Sequence, residues 1–152
     1  MHSKRLIFKR LIFPLLAILL LAAQGCGPRQ ARPSRLQDLG NGICQDTVSG
    51  LMWQKERSRT IRDLEEAQAQ ASNLALGGYN DWRLPTVHEL YDLHYLFDLH
   101  QAGDCAMDLQ GRYWSGEKDG EGMAGAWEIG DQCEPQRRYF TGGQGSVRAV
   151  RP

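Results

Sequence analysis
Four cysteines, four histidines and a scatter of carboxylates are the residues of this 152-residue chain that could do chemistry. The cysteines are Cys26, Cys44, Cys105 and Cys133, with no C-x-x-C among them and no His/Cys spacing suited to zinc. His88, His94 and His100 do not share a helical face, and no histidine pair stands at i, i+4. Asp92, Asp98, Asp104 and Asp108 lack the tight alternation of a calcium loop. No G-x-S-x-G elbow is present to expose a nucleophilic serine. The expectation is therefore no catalytic set, no metal and no cofactor. The thiols are left with two chemistries, disulfide formation and acylation.

Cys26 stands apart from the other three. The first ten residues carry Lys4, Arg5, Lys9 and Arg10 and no acid. Leu11 to Ala23 is apolar apart from Pro14, and small residues follow up to Gly25. That order reads as a secretory signal over 1–25. The apolar run is well short of the roughly 20 residues a spanning helix needs. The stretch L-A-A-Q-G-C resembles the lipobox of bacterial lipoproteins, in which the cysteine takes a diacylglycerol and becomes the new N-terminus. Gln24 departs from the small residue usual two places before that cysteine. The resemblance implies lipidation at Cys26 and an exported chain held to a membrane, each buried methylene contributing about 0.8 kcal/mol. Gly27, not an acidic residue, follows Cys26. By the same resemblance, that favours the outer membrane where the host has one.

The chain has 18 basic and 18 acidic residues. Four of the basic ones leave with the signal, so 14 face 18 in the remainder, a net charge of −4. A nucleic-acid binder should carry a basic footprint, so nucleic acid is not an expected partner. Glycine is abundant, at 17 residues, and gathers after residue 100, which marks a loop-rich second half. With Cys26 acylated, three thiols remain in an oxidising compartment and allow one bridge. Cys105–Cys133 is the expected pair, because both flank the strand-rich C-terminal section. Cys44 is then buried or left over.

Elements must position whatever these groups do. Gly27 to Leu39, with Pro28 and Pro33 among Arg29, Gln30, Arg32 and Arg35, reads as a tether. It places a lipidated linker at 26–40 and one domain at 41–152. Ile43 to Gln54 reads as a hairpin about the polar D-T-V-S-G turn. Thr60 is the expected cap of a first helix, with Leu64, Ala67, Ala71 and Leu74 on one face and Gly77-Gly78 as its end. Thr86 and Glu89 form the T-x-x-E capping box of a second helix, and Pro85 precedes it. Its expected face is Leu90, Leu93, His94 and Phe97. Tyr113–Ser115, Ala126–Ile129, Arg138–Thr141 and Val147–Val150 are short strand candidates between glycine-rich loops. A hairpin, two helices and then strands make an α+β domain with an antiparallel sheet.

Six motifs then fall in order: G-L-M-W-Q at 50–54, G-G-Y-N-D-W-R-L-P-T at 77–86, E-L at 89–90, Y-W-S at 113–115, A-W at 126–127 and V-R-A-V-R at 147–151. Together they resemble the Lcl C-terminal domain family, over about Asn41 to Arg151. That resemblance implies a C-type-lectin-like fold: two helices, small antiparallel sheets and ligand loops at one end. It also implies an exported or surface protein, since some members act in adhesion or bind polysaccharide. R-L-P-T-x-x-E-L is similar to a segment of the formylglycine-generating enzyme group. An activity of that type is the minor alternative, since its cysteine pair has no clear counterpart here.

The motif positions Trp53, Trp82, Arg83, Pro85, Thr86, Glu89, Trp114, Trp127 and Arg148 read as structural. Capping explains Thr86 and Glu89 without a ligand. Trp53, Trp114 and Trp127 sit in candidate strands among apolar neighbours, as core aromatics do, and Trp82 reads as core beside Leu84. Arg83 is expected to pair with Glu89 or Asp81. Binding is assigned instead to the loops Ser115–Gly125 and Asp131–Gly145, since loops on a rigid scaffold carry most recognition. Glu134, Gln136, Arg137, Arg138 and Tyr139 are the candidate ligand residues. Glu134-Pro135-Gln136 is faintly similar to the sugar-and-calcium tripeptide of C-type lectins. The expected function is a lipid-anchored, non-enzymatic module recognising a glycan or an envelope protein. The runner-up is a structural lipoprotein that scaffolds a complex.

Overall fold
A computed structural model describes residues 34–118, 124–129, 137–140 and 143–152. Cys26, Cys133, Glu134 and Gln136 lie outside them, as do the side chains of Arg137, Arg138 and Tyr139. The described chain is α+β, with two helices and two small antiparallel sheets. Strands β1 (Leu36–Gly40), β2 (Ile43–Asp46) and β3 (Met52–Gln54) pair in that order, and β7 (Val150–Arg151) joins the free side of β3. Helices α1 (Leu64–Ser72) and α2 (Val87–Asp98) follow β3. Strands β4 (Arg112–Lys118), β5 (Ala124–Ile129) and β6 (Arg137–Phe140) form the second sheet.

Side chains alternate across a strand, and the four-stranded sheet uses both faces. Cys44, Trp53 and Val150 stand opposite one another in register. All three join Leu36 and Leu90, Leu93 and Leu96 of α2 in one core. Ile43 points the other way, into a second core with Ala67 and Ala71 of α1 and with Trp82, Trp114 and Ala149. β4 serves both, sending Tyr113 to the first core and Trp114 to the second.

The hairpin, the second helix and its cap stand as the sequence predicts. Thr86 Oγ1 accepts from the Glu89 N–H, and the Glu89 carboxylate accepts from the Thr86 N–H, closing the capping box. The buried face of α2 is Val87, Leu90, Leu93 and Leu96, while His94 and Phe97 are half-buried.

Four expectations fail for physical reasons. The stretch read as tether includes β1: Leu36 is fully buried in the first core, and Arg35 donates to both Asp46 carboxylate oxygens at 2.7 and 2.6 Å. The sheet thus begins before residue 41.

The first helix is capped by Asp63, not Thr60. Ile61 is drawn into the second core and forms a two-way bridge with Gly145, at 2.7 and 3.0 Å, so the chain is still extended there. Asp63 then accepts from the Glu66 N–H at 3.0 Å. The helix ends at Ser72 with Asn73 as its C-cap. Gly77 and Gly78, both at positive φ, turn the chain instead between the bridged residues Leu76 and Tyr79. At Gly77 a Cβ would lie 2.2 Å from Ile43 Cδ1, so only glycine fits there without moving the core.

The loop Ser115–Gly125 is mostly hairpin, since β4 runs to Lys118 and β5 starts at Ala124. Arg137, Arg138 and Tyr139 are register positions of β6, opposite Ile129, Glu128 and Trp127, which agrees with the strand candidate at Arg138–Thr141 and not with the loop bounds Asp131–Gly145. In the last motif only Val150–Arg151 forms a strand, although Val147, Arg148 and Ala149 are buried.

The disulfide is the fourth correction. Cys105 pairs with Cys44 and not with Cys133, at a Cα–Cα distance of 6.0 Å. Both sulfurs belong to the first core, where β2 and the segment after α2 meet. The flanking argument placed Cys105 by the strands that follow it. Its position is instead set by its N–H bond to Ala102 and by the apolar pocket beneath β2.

Candidate functional site
Asp81 and Arg83, the charged residues of D-W-R-L-P-T, are taken up in ion pairs. Arg83 donates through Nη1 and Nη2 to the two Glu89 oxygens at 2.8 and 2.6 Å. Asp81 accepts both bonds of Arg151, at 2.6 and 3.0 Å, while the Arg151 guanidinium lies 3.9 Å above the Tyr79 ring. Trp53, Trp82 and Trp114 are 2–3% exposed and form core, and Trp127 is half-buried.

Arg148 is the most confined charge among the described residues. Only 1% exposed, it meets no carboxylate. Nη1 donates to the carbonyls of Gln54 and Lys55 at 2.8 and 2.5 Å, and Nη2 donates to the Asp108 carbonyl at 2.5 Å. The same Asp108 carbonyl accepts from the Tyr113 hydroxyl at 2.7 Å, and the guanidinium lies 5.5 Å from the Tyr113 ring centre. Arg148 therefore joins the end of β3 to the segment before β4. It is a structural staple, as its motif position implied.

Two carboxylates hold further joints together. Burial pushes the Asp46 carboxyl up, but hydrogen bonds from Arg35, Ser49 and the Val48 N–H outweigh it and leave the group below its ordinary value. Burial likewise raises Glu89, and Arg83 with the Thr86 N–H reverses the sign. A carboxyl lowered in the fold contributes stability that is present above its unfolded value, about 4, and is lost as pH falls through the folded value. Melting temperature should therefore hold from pH 7 to about 5 and fall below about 4. Glu89→Gln should remove part of that acid-side fall. A flat or rising acid limb would contradict both assignments.

An open cleft of about 600 Å³ lies between α1, the start of α2 and β4. Its floor is Trp82, Leu84 and Pro85, and its rim carries Gln68 and Ser72 from α1, Thr86, and Glu117 from β4. Gln68 and Ser72 are four residues apart and so share one side of α1, beside the buried Ala67 and Ala71. β4 is fastened to the floor by the Gly116 N–H on the Pro85 carbonyl, at 2.9 Å. A Cβ at Gly116 would stand 3.3 Å from Leu84 Cβ, so glycine permits this close approach. Glu117 accepts the Val87 N–H at 3.0 Å through Oε2. Among the described residues its other oxygen has no donor. Trp82 holds a buried indole N–H with no acceptor among them. Apolar floor and polar rim together make a site for a small ligand with both apolar and hydroxyl or amine surface.

A second opening of about 270 Å³ is lined by Arg57, Thr60, Arg112 and Ser146. There Arg57 is already held by Asp108, at 2.7 Å, and by the Gln110 carbonyl, at 2.6 Å. No group of three or more His, Cys, Asp or Glu among the described residues could hold a metal ion.

Sequence reasoning missed Gln68, Ser72 and Glu117. They are ordinary polar residues on exposed faces, and nothing local marks them as neighbours. The candidate ligand residues do not converge on this cleft among the described atoms: Arg137, Arg138 and Tyr139 belong to β6, on the far side of β5 from β4. Residues 42–151 match the model of the Lcl C-terminal domain family. No characterised protein and no solved structure matches the chain.

Proposed function
Because the chain belongs to the Lcl C-terminal domain family over residues 42–151, we propose that it is a non-enzymatic binding module, exported and held by lipid at Cys26, which recognises a glycan or an envelope protein. The observation that carries the binding part is the cleft, whose apolar floor and hydrogen-bonding rim suit recognition and whose lining offers no nucleophile–base pair. Cys105 is spent in the buried bridge to Cys44, which counts against chemistry of the formylglycine-generating type. The β5–β6 connection, with Glu134 and Gln136, and the adjoining β6 positions Arg137, Arg138 and Tyr139 supply a second contact surface in this reading.

The anchor is tested by Cys26→Ser. The variant should lose acylation and move from the membrane fraction to the soluble one, and continued membrane retention would sink the lipoprotein reading. Binding is tested by titrating the purified chain against polysaccharides and envelope extracts. Saturable binding weakened by changes at Arg137, Arg138 and Tyr139 or in the cleft is expected, and no saturable binding at all would overturn the module. A scaffold role is the second reading. It is favoured by the exposed Tyr95 on α2 and Leu99 at its C-cap, which suit an apolar partner surface. One stoichiometric protein partner with no glycan would select it.

A further inference from the structure
We propose that the cleft takes a glycan through a free amino sugar, with the sugar's ammonium group on Glu117. This rests on the binding-module reading and names the ligand chemistry of its cleft. Two ionised residues line the cleft, Arg83 and Glu117. Arg83 is matched by both oxygens of Glu89. Glu117 has no cation among the described residues, and one of its oxygens is left over once Val87 is satisfied. The cleft therefore presents a net negative site, which repels acidic ligands and attracts an ammonium.

Preorganisation follows from the same bond. The Val87 N–H fixes Glu117 Oε2, so the carboxylate is already held in place and loses little freedom when a ligand arrives. The helix start is itself closed by carboxylates, because Glu89 takes the Thr86 N–H and Glu117 takes the Val87 N–H. Together with the Glu89 N–H on Thr86 Oγ1, three of its N–H groups are spent.

The rim selects the rest of the ligand. The Gln68 amide has no partner among the described residues. Thr86 Oγ1 accepts from the Glu89 N–H and its hydroxyl bonds the Glu89 carboxylate, so it is spent in the cap. Ser72 donates to the Ala69 carbonyl at 3.3 Å and keeps acceptor capacity. Gln68 and Ser72 ask for hydroxyls beside the amine. Leu84 and Pro85 offer an apolar floor to the C–H face of a ring. A lysine side chain would use Glu117 and the floor but leave the rim groups without a role, so the amino sugar is the better fit.

The test is calorimetric titration of the purified chain at about pH 6, where a primary amine is protonated. The ligands are a glucosamine tetrasaccharide, its N-acetylated counterpart and tetralysine. The amine form should bind saturably, and the acetylated form about tenfold more weakly or less, as loss of a charge-assisted hydrogen bond predicts. Glu117→Gln keeps an oxygen for the Val87 N–H, so the fold should hold while affinity falls about tenfold. Gln68→Ala, on an exposed helix face, should weaken binding severalfold. Equal binding of the acetylated form, or an unchanged Glu117→Gln, would overturn the proposal. Tetralysine binding as tightly, with Gln68→Ala silent, would make the cleft a lysine-docking site and overturn it too. Failure of all three ligands also overturns it. The module reading survives that result wherever a glycan or envelope protein still binds, and falls only when none does.

Discussion

Replacing Arg148 with methionine should lower the unfolding free energy by about 3–5 kcal/mol, the range expected when one partner of a buried charged network is removed. Buried charges are costly, and exchanging a whole buried ionic cluster for apolar residues is often neutral or stabilising. That outcome requires every partner to go. Here the partners are the main-chain carbonyls of Gln54, Lys55 and Asp108, which no side-chain change can remove. Methionine would fill much of the volume and leave those acceptors without donors, each orphan costing about 1–3 kcal/mol. Arg148→Lys should lose less, since an ammonium keeps three donors. It should not recover the parent, because a point charge cannot span acceptors that the planar guanidinium reaches on two sides. Urea unfolding at neutral pH, followed by circular dichroism, decides the matter. Arg148→Met within about 1 kcal/mol of the parent would show the staple to be dispensable. If the methionine variant fails to fold, the lysine variant carries the measurement.

The Cys44–Cys105 bridge should have a comparable effect. It closes a loop of 61 residues, for which the chain-entropy relation gives about 4 kcal/mol. Cys44→Ala with Cys105→Ala should lose about that much and leave two small gaps in the first core. Both cysteines are nearly inaccessible, at 0% and 3% exposure, so a thiol reductant should not touch the native protein and should act only once urea has opened it. Peptide mapping without reduction should recover Cys44 linked to Cys105. A Cys105–Cys133 peptide, or a double variant as stable as the parent, would overturn the assignment.

What the sequence disclosed, and what it hid, follows the range of the interactions. The cap of α2 was legible because Thr86 and Glu89 complete each other within three residues. The β2–β3 hairpin was legible because its turn is polar and short. Trp53 and Trp114 were recognisable as core from the candidate strands that hold them. Thr60 was the wrong cap because a bond from Ile61 to Gly145, far along the chain, keeps the backbone extended past it. β1 was hidden because Leu36 is its only buried residue, and one leucine in a polar stretch makes no periodic pattern. The disulfide partner was hidden for the same reason of distance.

Arg148 could be placed by its motif, but its acceptors are carbonyls, which every residue has and no sequence distinguishes. The cleft was invisible because Gln68, Ser72 and Glu117 are brought together only by the packing of α1 and β4 around Trp82. For the β5–β6 residues the strand at Arg138–Thr141 was legible from its Tyr-Phe-Thr run, and β6 pairs with β5 from Arg137 to Phe140; the loop bounds Asp131–Gly145, drawn from the glycines around it, ran across that strand.

The chain between α2 and β4 has no regular secondary structure over 101–110, and a protein engineer would choose it first for a tag or a linker. Its fastenings advise otherwise. The Gln101 carbonyl accepts the N–H groups of Arg35 and Leu36. Asp104 accepts the Asp38 N–H, Cys105 is bridged, and Asp108 and Gln110 hold Tyr113, Arg148 and Arg57. Irregular geometry here goes with tight anchorage. The segment should resist proteases in the native protein, exchange its bonded amides slowly, and tolerate an inserted sequence poorly.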